Sequence, residues 1–173
     1  MDVKTITTED ILAILETVTD PEVPVLSVVD LGIIRKVEIY NAAEKPPSGG
    51  VGVFITPTYS GCPAMDMINM QIKMALLEHG YSSFEIVTQL SPAWTTDWMT
   101  ETGKAKLKAY GIAPPTAKLS TCTAMEANEQ MAIQCPNCGS YQTELISRFG
   151  STACKSLYQC KDCLEPFDYF KCH

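Results

Sequence analysis

The chain has 173 residues, 46% of them hydrophobic and 19% charged, with a formal net charge of −7 at pH 7. Those proportions describe a globular chain with room for one ordinary domain and a small appendage, and they exclude a disordered or collagen-like polymer. Residues 131–173 balance Arg148, Lys155, Lys161 and Lys171 against Glu144, Asp162, Glu165 and Asp168, so all the excess negative charge lies in the first 130 residues. Binding to a phosphate backbone needs clustered Lys and Arg, which argues against nucleic acid as the main partner and in favour of protein. No apolar run is long enough to span a membrane, and no basic stretch leads into an apolar one at the start. Eight cysteines without a secretory leader predict a cytoplasmic setting, where thiols bind metal or react more often than they form disulfides.

Thr7 or Thr8 is placed to cap a first helix, with Glu9 and Asp10 in its opening turn and Ile11, Leu12, Leu15 and Val18 as its apolar stripe. Asp20-Pro-Glu-Val-Pro24 breaks that helix, because the residue before a proline disfavours helical geometry. Ile33–Tyr40 and Val51–Thr56 read as antiparallel strands around the turn-rich segment 41–50. A long helix is predicted from Ala64 to Glu78 and a third strand from Phe84 to Leu90, with a short helix ending near Tyr110-Gly111. The long helix is apolar nearly all round: Met67, Met70, Met74 and Leu77 add a second face to Met65, Ile68, Ile72, Ala75 and Leu76. Such a helix is expected to be buried or shared with a second copy, which admits a homodimer, and its methionines read as adaptable core filling. These elements predict an α+β fold in which a small two-layer helix/sheet domain over residues 1–115 is followed by a polar linker at 116–130 and a ribbon at 131–173. No internal repeat is evident.

The tail carries the strongest chemical signal. Cys135-Pro-Asn-Cys138 and Cys160-Lys-Asp-Cys163 each set two thiolates on one tight turn, with 21 residues between the pairs (160 − 138 − 1). Four convergent sulfurs suit the closed tetrahedral shell of a structural zinc ion, and iron is the alternative because Cys-Pro-x-Cys-Gly turns also build rubredoxin-like sites. So short a segment has little core of its own, and the metal is expected to supply most of its folding energy. Cys122, Cys154 and Cys172 fit no such spacing.

Two loops are unlike connectors. Asp20 to Gly32 holds Asp20, Glu22 and Asp30 in apolar sequence, and composition alone reads it as a rigid turn whose carboxylates bond nearby backbone N–H groups. In Thr56-Pro-Thr-Tyr-Ser-Gly-Cys62-Pro63, the proline suits the first helical position and Cys62 falls at the N-cap. A thiolate there is favoured by the helix terminus, which makes Cys62 a nucleophile or metal ligand; a small buried cysteine is equally compatible with the residues. The chain has two histidines and lacks a GxGxxG, a P-loop or a Glu-x-x-His pair, so it carries no recognisable machinery for nucleotide or oxygen chemistry.

The segments Asp20-Pro-Glu-Val-Pro-Val, Ser27-Val-Val-Asp-Leu-Gly-Ile-Ile34 and Thr56 to Pro63 resemble the small iron–sulfur-assembly (SufT-like) domain over roughly residues 8–112. The whole chain is similar to members of that family that serve phenylacetate degradation, through Leu90-Ser-Pro-Ala-Trp-Thr-Thr-Asp-Trp-Met99, Tyr110-Gly-Ile-Ala-Pro-Pro115, Phe149-Gly-Ser-Thr-Ala-Cys-Lys155 and Glu165 to His173. The resemblance implies a non-enzymatic accessory or maturation protein of the phenylacetyl-CoA epoxidase system, with its reductase and oxygenase subunits as partners. It also implies that Cys62 is the reactive thiolate holding iron or an iron–sulfur cluster transiently, with Asp20, Glu22 and Asp30 as supporting carboxylates. A non-catalytic component docked on the epoxidase is the alternative.

Overall fold

The structure is a computed structural model that describes residues 6–41, 50–59, 61–115 and 133–171. It divides into two compact units, Met1–Trp94 and Thr95–His173. The expected linker at 116–130 lies outside the described residues, as do Cys122 and Cys172.

In the first unit, α1 (Thr8–Leu15) opens with a capping box in which Thr7 Oγ1 accepts the Asp10 N–H and Asp10 accepts the Thr7 N–H. Strand β1 (Ile34–Tyr40) pairs antiparallel with β2 (Gly50–Ile55), as the alternation of Val37 and Ile39 with Lys36 and Glu38 predicts. α2 (Ala64–Glu78) then carries the chain back so that β3 (Phe84–Thr88) lies parallel to β2, giving the order β1-β2-β3 with β3 at an edge. The core joins Ile11 and Leu15 of α1, Val53 and Ile55 of β2, and Ile68, Ile72 and Leu76 of α2, with Leu26, Leu31 and Ile33 from the long loop; all are essentially inaccessible. Trp94 closes this unit: its ring is buried and its Nε1–H donates to Leu31 O at 3.0 Å, 63 residues away in sequence.

One expectation fails on α2. Met67, Met70 and Met74 are not core filling but, like Leu77, are more than half exposed. A helix lying on a three-stranded sheet has one side to bury, and that side is taken by Ala64, Ile68, Ile72, Ala75 and Leu76.

The second unit begins with a short turn at Thr96–Trp98 and α3 (Glu101–Ala109), capped by Thr100 accepting the Gly103 N–H at 2.9 Å. β4 (Ile112–Ala113), β5 (Thr143–Ser147), β6 (Lys155–Cys160) and β7 (Pro166–Phe170) form a sheet in the order β4-β7-β6-β5. β4 runs parallel to β7, pairing Ile112 with Asp168 and Ala113 with Tyr169. Residues 112–113, placed by sequence reasoning at the end of the first domain, therefore belong to the sheet of the ribbon. Its small core is Ala113, Ile133, Cys135, Cys160, Phe167 and Tyr169, with Tyr158 against it at a centroid distance of 5.9 Å from both Phe167 and Tyr169.

Candidate metal centre

The four cysteines are brought together by two turns built alike. In the first, Cys135 N–H donates to Ser140 O at 2.8 Å, and Gly139, at φ +77°, supplies the left-handed residue that lets the turn close. In the second, Cys160 N–H donates to Glu165 O at 3.0 Å, and Leu164 takes the same place at φ +63°. Each turn is preceded by a glutamine whose Nε2 donates to the carbonyl of that left-handed residue, Gln134 to Gly139 and Gln159 to Leu164, both at 3.1 Å. The repeated signal is Gln-Cys-x-x-Cys, which sequence reasoning passed over in finding no repeat. Ser140 Oγ donates to Asp162 at 2.5 Å and Lys161 N–H to Gln142 O at 2.7 Å, tying one turn to the other.

The sulfurs of Cys135, Cys138, Cys160 and Cys163 all lie within 4.8 Å of one another. Cys138 and Cys160 are 3.5 Å apart and Cys135 and Cys163 3.8 Å apart. A tetrahedral ion with metal–sulfur bonds of about 2.3 Å has edges of about 3.8 Å, so the donor set fits such an ion. Cys135 and Cys160 are buried in the ribbon core, whereas Cys138 is exposed and Cys163 half-buried. The backbone N–H groups of Cys163 and Asp162 pull the Cys160 thiol down to about 7 against the cost of its burial. Cys163 responds differently. The Glu165 N–H favours its thiolate, but burial and the sulfurs of Cys160, Cys138 and Cys135 push it up to about 12. Four thiolates this close repel one another, and a bound cation removes that repulsion. With four protein ligands the shell is closed, which is the arrangement of a structural site rather than a catalytic one.

Cys154 is not part of this group. It is buried, with its sulfur 3.0 Å from Thr152 Oγ1.

In the first unit, Cys62 is half-buried and sits where β2 hands over to α2. Gly61, at φ +87°, turns the chain into it; Cys62 N–H donates to Tyr59 O at 3.3 Å and its carbonyl accepts the Met65 N–H at 3.2 Å. The N-cap is Pro63, one residue later than the sequence suggests, and no side chain caps the helix. A turn through the Cys62 carbonyl takes the place of the first helical bond.

The acidic loop is held by its own side chains. Asp20 Oδ1 accepts the N–H groups of Glu22 at 2.6 Å and Val23 at 2.9 Å. Asp30 is buried; its Oδ2 accepts the Ser27 N–H at 3.2 Å while Ser27 Oγ accepts the Asp30 N–H at 2.9 Å. A bond from Thr56 N–H to Ile33 O at 2.9 Å joins the roots of the acidic loop and the Cys62 loop. Among the described residues, the tail cysteines are the group of three or more metal-ligating side chains close enough to share an ion, and Cys62, Asp20, Glu22 and Asp30 do not make a second.

A two-layer helix/sheet unit followed by a four-thiolate ribbon defines a small metal-binding protein with a closed structural centre and a separate loop cysteine. Known proteins share both parts. The model of an iron–sulfur cluster assembly protein matches residues 8–80, and that of a PaaD zinc beta ribbon domain matches residues 120–171. An Escherichia coli (strain K12) protein, named as one of the subunits of a "Putative 1,2-phenylacetyl-CoA epoxidase", is 46% identical over 163 residues, 94% of this chain and 92% of that protein. An "Fe-S protein maturation auxiliary factor" of Porphyromonas gingivalis (strain ATCC BAA-308 / W83) is 36% identical over 102 residues, 58% of this chain and 90% of that protein. A solved domain of unknown function, DUF59, from Bacillus anthracis is 25% identical with a TM-score of 0.49, covering 57% of this chain and 89% of that one. The chain belongs to the family of the E. coli epoxidase-system protein, in which an iron–sulfur-assembly domain is joined to a PaaD-type zinc ribbon. No helix among the described residues is long and apolar enough to cross a membrane.

Proposed function

We propose that the chain is a non-enzymatic accessory protein of the phenylacetyl-CoA epoxidase system that assists iron or iron–sulfur insertion into the reductase or, second, the oxygenase component. The observation that carries this reading is the pairing of a closed four-thiolate centre with a separate half-buried cysteine, Cys62, in a glycine-turned loop at the start of α2. The names and domain content of the relatives support it. Zinc at Cys135, Cys138, Cys160 and Cys163 holds the ribbon and leaves those sulfurs no part in transfer. Cys62 offers one soft thiolate, and a site with a single protein ligand is open to exchange with the cysteines of a client. Asp20 and Asp30 stiffen the neighbouring loop, and Glu22, half-buried beside them, supplies a further carboxylate. Cys62→Ser should leave the fold and ribbon metal intact while the co-expressed reductase loses most of its cluster iron and sulfide. Full cluster content and epoxidase activity with that variant would sink the proposal.

The name of the E. coli relative favours a second reading, a component that stays docked on the epoxidase. Stoichiometric co-purification insensitive to Cys62→Ser supports docking, whereas a substoichiometric association lost on client maturation supports delivery.

A further inference from the structure

α2 has two apolar faces, and the chain buries one. Met67, Met70, Met74 and Leu77 are 54, 55, 52 and 54% exposed. Their spacing of three, four and three is that of the a and d positions of two heptads. With Met67 at a, Asp66 and Lys73 occupy g, and Gln71 and Glu78 occupy e. Among the described residues neither Lys73 nor Glu78 has an ion-pair partner in its own chain.

We propose that this face is the interface between two copies of the chain, packed through α2 as a parallel two-helix seam. The sense follows from charge. In a parallel pair, a g residue meets the e residue of the following heptad on its partner, so Lys73 meets the partner's Glu78, and symmetry makes the contact twice. Asp66 meets the partner's Gln71, which sets a carboxylate against an amide donor. An antiparallel pair with the same apolar overlap sets Lys73 beside the partner's Lys73. A client protein is the rival occupant. The self-complementary flanks favour a second copy, because a partner of different sequence imposes no such match of g with e.

Two heptads make a marginal coiled coil when the helices must first form. Here α2 is already ordered by its buried face, so association has no helix to nucleate. Four half-exposed apolar side chains in one stripe form the kind of contiguous patch that marks interaction sites on folded proteins. The net charge of −7 opposes self-association, and physiological salt, with a Debye length of about 8 Å, screens the long-range part of that repulsion. The inference stands whether or not the protein delivers metal.

Sedimentation equilibrium of the full-length chain at physiological salt tests it. A reversible monomer–dimer equilibrium is expected, and Met70→Glu, at an exposed position, should give a monomer with unchanged far-UV circular dichroism. Lys73→Glu or Glu78→Lys alone should loosen the dimer by about tenfold, through two pairs turned from attraction to repulsion. The double variant K73E/E78K should recover most of that loss. A chain that stays monomeric at every concentration, or a dimer indifferent to Met70→Glu, overturns the interface. Failure of the double variant to recover overturns its parallel sense. A monomer whose Met70→Glu variant no longer binds purified reductase or oxygenase assigns the face to the client, and equally overturns the proposal.

Discussion

Asp30 shows how a carboxylate in a functional-looking loop can be spent on the loop itself. It is 2% exposed, and its exchange of hydrogen bonds with Ser27 fixes the turn that leads into Leu31 and the Trp94 contact. Asp30→Ala leaves the Ser27 N–H buried without that acceptor, and is expected to lower stability by about 1–3 kcal/mol in urea unfolding. Asp30→Asn keeps an acceptor oxygen and should cost less. Equal stability of all three proteins would mean that the turn does not depend on this pair. Cys62 presents the opposite case, since the backbone around it is turned by Gly61 and bonded through its own N–H and carbonyl, not through its sulfur. Replacing that sulfur therefore tests chemistry with little risk to the fold. The residues that sequence reasoning found were those with a rare side chain in a rare spacing. Gln134 and Gln159 escaped it because a glutamine that supports a turn looks in sequence like any polar surface residue.

At the scale of elements, the two cysteine turns make an internal comparison. Gly139 takes its positive φ at no steric cost, whereas Leu164 takes φ +63° with a β-carbon in the way. Leu164 is 68% exposed and contributes little burial in return. Leu164→Gly should therefore stabilise the metal-loaded ribbon by about 0.5–1 kcal/mol, read as a higher thermal midpoint; an unchanged or lower midpoint would show that the leucine packs usefully or that the strain is absorbed. Helices were the most legible elements. Thr7 or Thr8 ahead of Glu9 and Asp10 announced α1, and the apolar periodicity bounded α2 at Ala64 and Glu78 as observed. The same periodicity could not say which apolar face would be covered, because that depends on how many layers the fold supplies. Strands β1 to β3 were legible as segments, but the parallel pairing of β2 with β3 is a property of the crossover and is written in no local pattern.

For the whole molecule, the two units differ in what holds them. The first has a core drawn from α1, the long loop, β2 and α2. The ribbon of the second has a core cluster of six residues, two of which are cysteines of the four-thiolate group. A structural zinc ion binds such peptides with an apparent free energy of about 10–16 kcal/mol, far more than a core this size supplies. Stripping the metal with a thiol-reactive agent and a chelator should abolish hydrogen-exchange protection in β5, β6 and β7 while β1, β2 and α2 keep theirs. Protection surviving in β5 to β7 after elemental analysis shows the metal gone would contradict that division. The presence of the ribbon was legible from four cysteines, but its extent was not, because β4 joins it from 53 positions before β7 (166 − 113).

That early strand bears on how such a protein can be assembled from parts. The matched ribbon region starts at residue 120, yet the sheet it belongs to includes Ile112 and Ala113, which follow directly on α3. A gene fusion joined anywhere between 114 and 133 would inherit all four cysteines and a sheet missing one edge strand, with β7 left unpaired at Asp168 and Tyr169. Recombination that preserves the whole ribbon sheet must cut upstream of Ile112, and the compact units part further back, at Trp94 and Thr95. Descendants of this architecture should therefore carry the Ile112–Ala113 strand wherever they carry the ribbon.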